Sequence, residues 1–126
     1  MIHGLGLDLI EIERIAQALK RHGSRFTSRL FTERECIRHK TLTEKTLVIH
    51  VAGRFAAKEA VVKALGTGFS GIDWKEIEIL NDALGKPVVI LHEKLHARFK
   101  NPQLLITITH SKSCASAFCI WIEGQA

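Results

Sequence analysis

The chain has 126 residues, of which 46% are hydrophobic and 25% charged, and its formal net charge is +5. This length predicts one domain, residues 1–126, and the composition is typical of a globular protein rather than a disordered one. No apolar run approaches the roughly 20 residues that span a bilayer. The first residues also lack the basic and apolar segments of a signal peptide. We therefore expect a cytoplasmic protein that is not bound to a membrane.

Residues 2–9 predict a strand in which leucines alternate with small or acidic residues. One face, which we expect to be the core face, carries Leu5, Leu7 and Leu9. The other face carries Gly4, Gly6 and Asp8. Glycines in a strand often mark the close approach of another backbone or a ligand. Taken alone, Asp8 could equally be a turn residue or the N-cap of the next helix.

Residues 11–22 predict an amphipathic helix, because apolar residues recur at helical spacing up to Gly23. The segment Arg14–Lys40 contains eight basic and two acidic residues, so the positive charge of the chain is concentrated there. Such a region suggests an acidic partner, which could be nucleic acid, a phosphorylated ligand or an acidic protein. A solvated helix face without a partner is the alternative. Thr32–Glu35 has the capping-box pattern that starts another short helix.

Residues 45–65 predict the longest helix, which Gly66 ends. Its apolar arc contains Leu47, Val48, Val51, Phe55, Val62 and Leu65. Lys58 falls inside that arc, Glu59 lies at its edge, and Lys63 is one turn beyond Glu59. Charged side chains rarely occupy an apolar stripe unless they are paired or hold a ligand. The pair is therefore either a buried salt bridge that fixes the helix or part of a functional site.

The second half of the chain alternates strands and short turns. Residues 75–79 and 88–91 predict a hairpin, 92–99 a short helix, and 104–109 and 115–123 two more strands. Because these elements have no regular βαβ rhythm, we expect an α+β fold with a largely antiparallel sheet packed with the long central helix.

Two possible metal patterns carry little weight. His92–His96 matches HExxH, but the segment is short and polar and has no evident third ligand, so we treat the match as chance. The three cysteines lack CxxC spacing, which predicts reduced thiols rather than a zinc site or a disulfide framework.

Asp8 and Glu59 form the stronger candidate for a metal site. Two carboxylates from separate elements, with lysines nearby, suit an oxygen-ligated Mg²⁺ that also holds phosphates. The glycine-rich segment 66–71 follows a helix, whereas phosphate cradles usually precede one, so a plain C-cap is the better interpretation. His110 closes a strand and could be structural, exposed or ligand-binding.

Two parts of the chain resemble the holo-[acyl-carrier-protein] synthase family, the small trimeric type of 4′-phosphopantetheinyl transferase. They are Gly6-Leu7-Asp8 with Arg14, and the segment Gly53–Gly68. Asn81–Pro87 and Ile108–Ser111 add further agreement. The resemblance covers nearly the full length, although residues 92–103 carry no family motif. Family members often have a basic residue at the position of Thr46.

The resemblance implies the α+β fold of that family and a transfer reaction. Phosphopantetheine would move from coenzyme A to a serine of apo acyl carrier protein, releasing adenosine 3′,5′-bisphosphate in support of fatty acid biosynthesis. The resemblance also implies Mg²⁺, or Mn²⁺, and a homotrimer with active sites between neighbouring subunits.

The same resemblance suggests residue roles. Asp8 and Glu59 would hold the metal, and Glu59 would also deprotonate the serine, directly or through a bound water. Lys63 would stabilise or protonate the departing phosphate. The coenzyme A contacts would come from Lys45, Arg54, Lys58, Gly66, Pro87 and His110. For Lys58, phosphate binding and anchoring of the helix are equally supported. The acidic carrier protein would meet Arg14, Arg21 and Arg25.

Two alternatives remain open. A basic α+β protein that binds RNA or DNA would use the same arginines on phosphates, but the chain has no Tyr and only 6% aromatic residues for base stacking. We therefore expect no nucleic-acid partner. A non-catalytic module that binds carrier proteins would need the arginines but not the carboxylates.

Overall fold

A computed structural model describes residues 1–123 of the chain. Its strands are β1 (Ile2–Glu11), β2 (Ile77–Asn81), β3 (Pro87–Leu91), β4 (Gln103–His110) and β5 (Cys114–Ile122). Its α-helices are α1 (Ile12–His22), α2 (Ser24–Leu30), α3 (Glu33–His39), α4 (Glu44–Leu65) and α5 (Glu93–Arg98). A short 3₁₀ turn, Trp74–Glu76, precedes β2 and is called the Trp74 turn below.

The strands form two antiparallel sheets. The larger sheet has the order β1-β5-β4, and the smaller one is the β2–β3 hairpin. In the larger sheet Asp8 of β1 and Ile108 of β4 both pair with Ala117 of the central strand. This arrangement confirms the predicted α+β fold with antiparallel pairing, and the hairpin and the last two strands are confirmed as well.

Helix α4 crosses the inner face of the larger sheet and forms the centre of the fold. The Thr43 hydroxyl accepts from the Thr46 N–H at its start, and Gly66 ends it with a left-handed φ of 83°. From Val51 onward the helix is buried on nearly all sides rather than on one arc. Its buried apolar surface extends further around the helix than predicted, because β1, β4, β5 and α1 all pack against it.

The predicted orientation of β1 is wrong. Leu5, Leu7 and Leu9 lie on the outer face and are 57%, 61% and 68% exposed, whereas Gly6 on the opposite face is buried. Alternation identifies two faces but not which one meets the core. Here the core face is the one without large side chains, because the helix backbone occupies their space.

The two glycines of β1 permit this close packing. A Cβ at Gly6 would lie 1.8 Å from the carbonyl oxygen of Ala60, and one at Gly4 would lie 1.9 Å from that of Ala64. Both contacts are with the backbone of α4, which cannot move aside as a flexible side chain could. The expectation that these glycines mark a close approach is therefore confirmed, and what approaches is α4.

The start of β2 also differs from the prediction. Lys75 and Glu76 belong to the Trp74 turn, where Asp73 and Glu76 form a capping box, so the strand begins at Ile77. The alternating pattern was misleading because Glu78 is buried too, held by Arg34 and by the Thr32 hydroxyl. The capping box predicted at Thr32 and Glu35 is present at the start of α3.

The HExxH match and the three cysteines, which we did not interpret as metal sites, can be located in the structure. His92 caps α5 through Nδ1, and within residues 1–123 no three His, Cys, Asp or Glu side chains cluster as metal ligands. The three cysteines are free, and burial raises the pKa of Cys119 to about 12. No helix in this part of the chain is both long and apolar enough to cross a membrane.

We predict that Gly6→Ala destabilises the fold by about 3 kcal/mol or more, because its methyl group would collide with a helix carbonyl. Gly53→Ala is the matched control, since its Cβ would meet only the Ile108 side chain at 3.0 Å. Thermal or urea unfolding of both variants measures the difference. Equal stability of the two variants would contradict this account of the β1–α4 contact.

Candidate active site

Asp8, Glu59 and Lys63 meet where β1 crosses α4. The Lys63 ammonium donates to Asp8 Oδ1 at 3.2 Å and to the Leu7 carbonyl at 2.9 Å. Glu59 is half-buried, and burial together with the negative charge of Asp8 raises the pKa of its carboxyl, while Lys63 lowers it. The two carboxylates therefore lie beside the same lysine although they are 51 positions apart in the sequence.

This carboxylate pair fits an oxygen-ligated divalent cation. Asp8 and Glu59 present hard oxygen donors whose mutual repulsion a cation would relieve. No third His, Cys, Asp or Glu joins them within residues 1–123. A metal held here would take the rest of its shell from water and ligand oxygens, which is the pattern that Mg²⁺ favours.

A second candidate region is a cavity of about 430 Å³ between the first half of α4, the β2–β3 hairpin and the end of β4. Its wall includes Arg54, Asn81, Pro87 and His110. Arg54 Nη2 donates to Asn81 Oδ1 at 2.7 Å, whereas Nη1 is buried and has no hydrogen-bond partner among residues 1–123. A guanidinium with an unused buried donor is suited to an anionic ligand.

His50 is a wall residue of this cavity that sequence reasoning missed. Burial and the positive charges of Arg54 and Arg38 lower its pKa to about 3, so the ring is neutral at physiological pH. The available signal was its position four residues before Arg54, which places both side chains on one side of α4. The signal was weak because His50 stands between two apolar residues.

Only some of the predicted coenzyme A contacts line the cavity. Arg54, Pro87 and His110 line the cavity. Lys45 is exposed in the first turn of α4 and is not part of the wall, which Thr46 forms instead. Gly66 lies at the other end of α4, about 18 Å from Arg54 along the helix axis, on the side of the carboxylates.

The inclusion of Lys58 among the coenzyme A contacts needs a correction. Its side chain has no exposed surface, and its ammonium donates to Glu35 Oε1 at 2.8 Å and to the carbonyls of Leu30 and Trp74. All three N–H donors are thus used inside the protein, because α2, α3 and the Trp74 turn close over the helix at this point. Of the two interpretations left open for Lys58, the geometry supports the anchoring one.

The carboxylate pair and the cavity lie at opposite edges of the larger sheet. Asp8 is on the outer strand β1, whereas Ile108 and His110 of the cavity wall are on the other outer strand, β4. Two strand spacings, about 10 Å, and the body of α4 separate them. Within one chain the two regions therefore do not form a single cleft.

The basic residues predicted to meet a partner are all exposed. Arg14 and Arg21 lie on α1 and Arg25 on α2. Within the described residues none of the three has an acidic partner at salt-bridge distance. Their charges are therefore available to an acidic partner.

Comparison with known proteins shows the family of the chain. Residues 4–117 match the family model of the 4′-phosphopantetheinyl transferase superfamily. The holo-[acyl-carrier-protein] synthase of Protochlamydia amoebophila is 54% identical over 122 residues, which cover 96% of this chain and 98% of that protein.

Solved structures show the same fold. The holo-(acyl-carrier-protein) synthase from Bacillus anthracis, in complex with CoA (3′,5′-ADP), has a TM-score of 0.83 at 38% identity and covers 96% of each chain. The enzyme from Neisseria meningitidis has a TM-score of 0.89 at 30% identity, covering 98% of this chain and 100% of its own. The chain therefore belongs to the 4′-phosphopantetheinyl transferase superfamily, and the predicted family and fold are confirmed.

We predict that His50 makes the stability of the protein depend on pH. Its folded pKa of about 3 lies below the ordinary 6.5, so the unfolded chain takes up a proton that the folded chain does not. Stability is complete above pH 6.5 and falls as the pH drops towards 3. Between pH 7.5 and 5 the loss from His50 is about 1 kcal/mol, after allowance for partial exposure of the ring.

Urea unfolding at the two pH values measures this loss. His50→Phe should show a smaller decrease than the unmodified protein, and the exposed His22→Gln should not differ from it. An equal decrease in His50→Phe would show that other groups cause the dependence.

Proposed function

We propose that the chain transfers the 4′-phosphopantetheine group of coenzyme A to a serine hydroxyl of apo acyl carrier protein, releasing adenosine 3′,5′-bisphosphate. The observation that carries this proposal is the Asp8–Glu59–Lys63 cluster, in a chain of this superfamily. The relatives named holo-[acyl-carrier-protein] synthase support the same reaction. Its role in fatty acid biosynthesis and its cytoplasmic location stay predictions.

Asp8 and Glu59 are the residues that would hold Mg²⁺, with Mn²⁺ as an alternative. When bound, the cation neutralises the pyrophosphate of coenzyme A and orients it for displacement. Glu59 also has the raised pKa of a group that can accept a proton. It would deprotonate the serine directly or through a water molecule.

Lys63 would stabilise the negative charge on the departing phosphate. Its ammonium is half exposed and is attached to Asp8 and to the Leu7 carbonyl, so it is already directed towards the carboxylates. Positive charge placed in advance near the leaving group lowers the energy of the transition state rather than that of the bound substrate.

The cavity at the β4 edge would bind the adenosine and its phosphates. The unused donor of Arg54 and the imidazole of His110 offer contacts to phosphate, and Pro87 provides an apolar wall. Lys45 lies in the first turn of α4, beside Thr46 of the cavity wall, and would add a positive charge at longer range. Because Thr46 lines the wall, the phosphate contacts here depend more on Arg54 than they would with a basic residue at that position.

A homotrimer would complete the site. The carboxylates and the cavity are at opposite edges of one sheet, so a single site needs the β1 edge of one subunit and the β4 edge of the next. A head-to-tail arrangement of this kind closes into a ring when the rotation between neighbouring subunits divides a full turn. The outer sheet face supports it, because it presents the apolar side chains Leu5, Leu7, Leu9, Leu105, Phe118 and Ile120, all at least partly exposed.

Arg14, Arg21 and Arg25 would meet the acidic carrier protein. Exposed charges of this kind act mainly on the rate of association and are screened by salt. Transfer at low carrier concentration should therefore slow as ionic strength rises.

The direct test is the intact mass of apo acyl carrier protein after incubation with this protein and coenzyme A, with Mg²⁺ or with a chelator. We expect a gain of one phosphopantetheine that requires the metal. No gain with several folded apo carriers would contradict the function, and a gain that survives complete chelation would contradict the metal.

In the same assay Glu59→Gln should lower turnover at least about 100-fold, because a neutral amide cannot act as the base and binds Mg²⁺ more weakly than a carboxylate does. Glu59 is at the edge of the core, so the isosteric change should leave the unfolding curve nearly unchanged. Normal turnover in this variant would remove Glu59 from the mechanism. Glu33→Gln, on an exposed helix terminus, is the control.

Leu5→Glu should separate the subunits, because it places a charge in the apolar sheet face. We expect light scattering to change from trimer to monomer, with loss of transfer as the two halves of the site part. Ile37→Glu is the matched control, since Ile37 is a similarly exposed residue, 62%, on α3. A trimer that persists in Leu5→Glu would place the subunit interface elsewhere.

A further inference from the structure

A smaller cavity lies between α3, α4 and β2, and the reaction proposed above does not use it. Its volume is about 40 Å³, and it is called the α3 cavity below. Arg38 and His39 of α3 belong to its lining. The side chains of His50, Arg54 and Asn81 line both this cavity and the larger one of the candidate active site. The two cavities are therefore neighbours that share part of their walls.

Two buried nitrogen atoms of this lining have no hydrogen-bond partner among residues 1–123, namely Arg54 Nη1 and His39 Nε2. Burial lowers the pKa of His39 in spite of the nearby Glu35 carboxylate, so the ring is neutral at physiological pH and can carry its one proton on Nε2. Both atoms then present N–H groups without an acceptor, which is costly in the interior of a protein. A ligand that accepts from both atoms would remove this cost.

Part of the charge around the α3 cavity is already balanced. Glu35 is the acidic residue of the lining, and its carboxylate accepts from the Lys58 ammonium at 2.8 Å and from the Ile79 N–H at 3.0 Å. Arg34 also lines the cavity, and its guanidinium is paired with Glu78. The Glu35 carboxylate is therefore engaged with groups other than the remaining arginines of the lining.

The other two positive charges of the lining are not balanced. Arg38 and Arg54 have no acidic side chain at salt-bridge distance within the described residues. Burial lowers the pKa of the Arg54 guanidinium, and the positive charge of Arg38 lowers it further. A water molecule could accept from the free N–H groups but would leave this repulsion in place, whereas an anion would offset it.

The size of the α3 cavity limits the class of anion. Its volume of about 40 Å³ is close to the ~30 Å³ that one water molecule takes in the liquid. It therefore has room for a monoatomic anion but little room for a phosphate group with four oxygens. Arg54 Nη1 carries two N–H groups. One of them can serve the α3 cavity while the other serves a ligand in the larger cavity.

We propose that the α3 cavity is a binding site for a small monovalent anion of the halide class, such as chloride, which accepts from Arg54 Nη1 and His39 Nε2. The anion is the counter-ion of Arg38 and Arg54, and it keeps the Arg54 guanidinium fixed between the two cavities. The proposal goes beyond the transfer reaction, because its ligand is neither coenzyme A nor the carrier protein.

The direct test is a crystal of the unmodified protein soaked in sodium bromide, since bromide replaces chloride and scatters anomalously. We expect an anomalous peak in the α3 cavity, within hydrogen-bond distance of Arg54 Nη1 and His39 Nε2. If bromide appears at other positions of the protein but not in this cavity, the cavity holds water and the proposal is overturned.

Thermal unfolding measures the same site in solution. Sodium chloride is compared with sodium gluconate at equal ionic strength, because gluconate is too large for the cavity. We expect the Tm to be about 4 °C higher in chloride at about ten times its Kd. His39→Phe removes the Nε2 donor but keeps a ring beside Phe31, so it should lose most of this difference. His22→Phe, at an exposed position on α1, is the matched control and should keep it.

A second variant decides the question if His39→Phe does not fold. Arg38→Gln removes one charge of the lining from an exposed position and should also lose most of the chloride effect, whereas the exposed Lys40→Gln should keep it. A bromide peak without any chloride effect on the Tm would show an adventitious ion only and overturn the proposal. Equal chloride effects in each variant and its control would overturn it too. None of these readouts uses phosphopantetheine transfer, so a failure of the proposed function would not alter them.

Discussion

The contact between the glycines of β1 and the backbone of α4 is the constraint on which the rest of the structure depends. Gly4 and Gly6 have no Cβ, so the carbonyls of Ala64 and Ala60 lie where side-chain atoms would otherwise be. This close packing of β1 on α4 brings Asp8, two residues beyond Gly6, within reach of Lys63 and near Glu59. The same contact turns the leucines of β1 away from the core.

The outward leucines have a consequence for assembly. A strand that uses glycines against its helix must place its large apolar side chains on the other face, where they stay exposed in the described part of one chain. Burial of such a face yields about 25 cal/mol per Å² of apolar surface. In the trimer proposed above, neighbouring subunits would also bring the carboxylates and the Arg54 cavity together, since these lie at opposite edges of one sheet. Stability and catalysis would then both depend on association.

The buried Lys58 has a structural role, although it is adjacent on α4 to Glu59, for which we propose a catalytic one. Its ammonium is fully paired with Glu35 and two carbonyls, although burial lowers its pKa. Removing one member of such a cluster would leave the other charge without a partner, which is costly in the interior. The adjacent Glu59 lies about 100° further around the helix, at the edge of the core, where a carboxylate can meet a ligand.

The sequence by itself determined the types and approximate limits of most elements, since helical periodicity, capping residues and turn glycines are local signals. It also identified Asp8, Glu59 and Lys63 as candidates, because charges beside glycines or within an apolar stripe stand out along the chain. Only the tertiary structure decided which face of β1 is buried, whether Lys58 is free or paired, and that His50 and Thr46 line the cavity. Those properties depend on how closely distant segments pack, and no local pattern encodes the backbone of a helix that arrives 50 residues later.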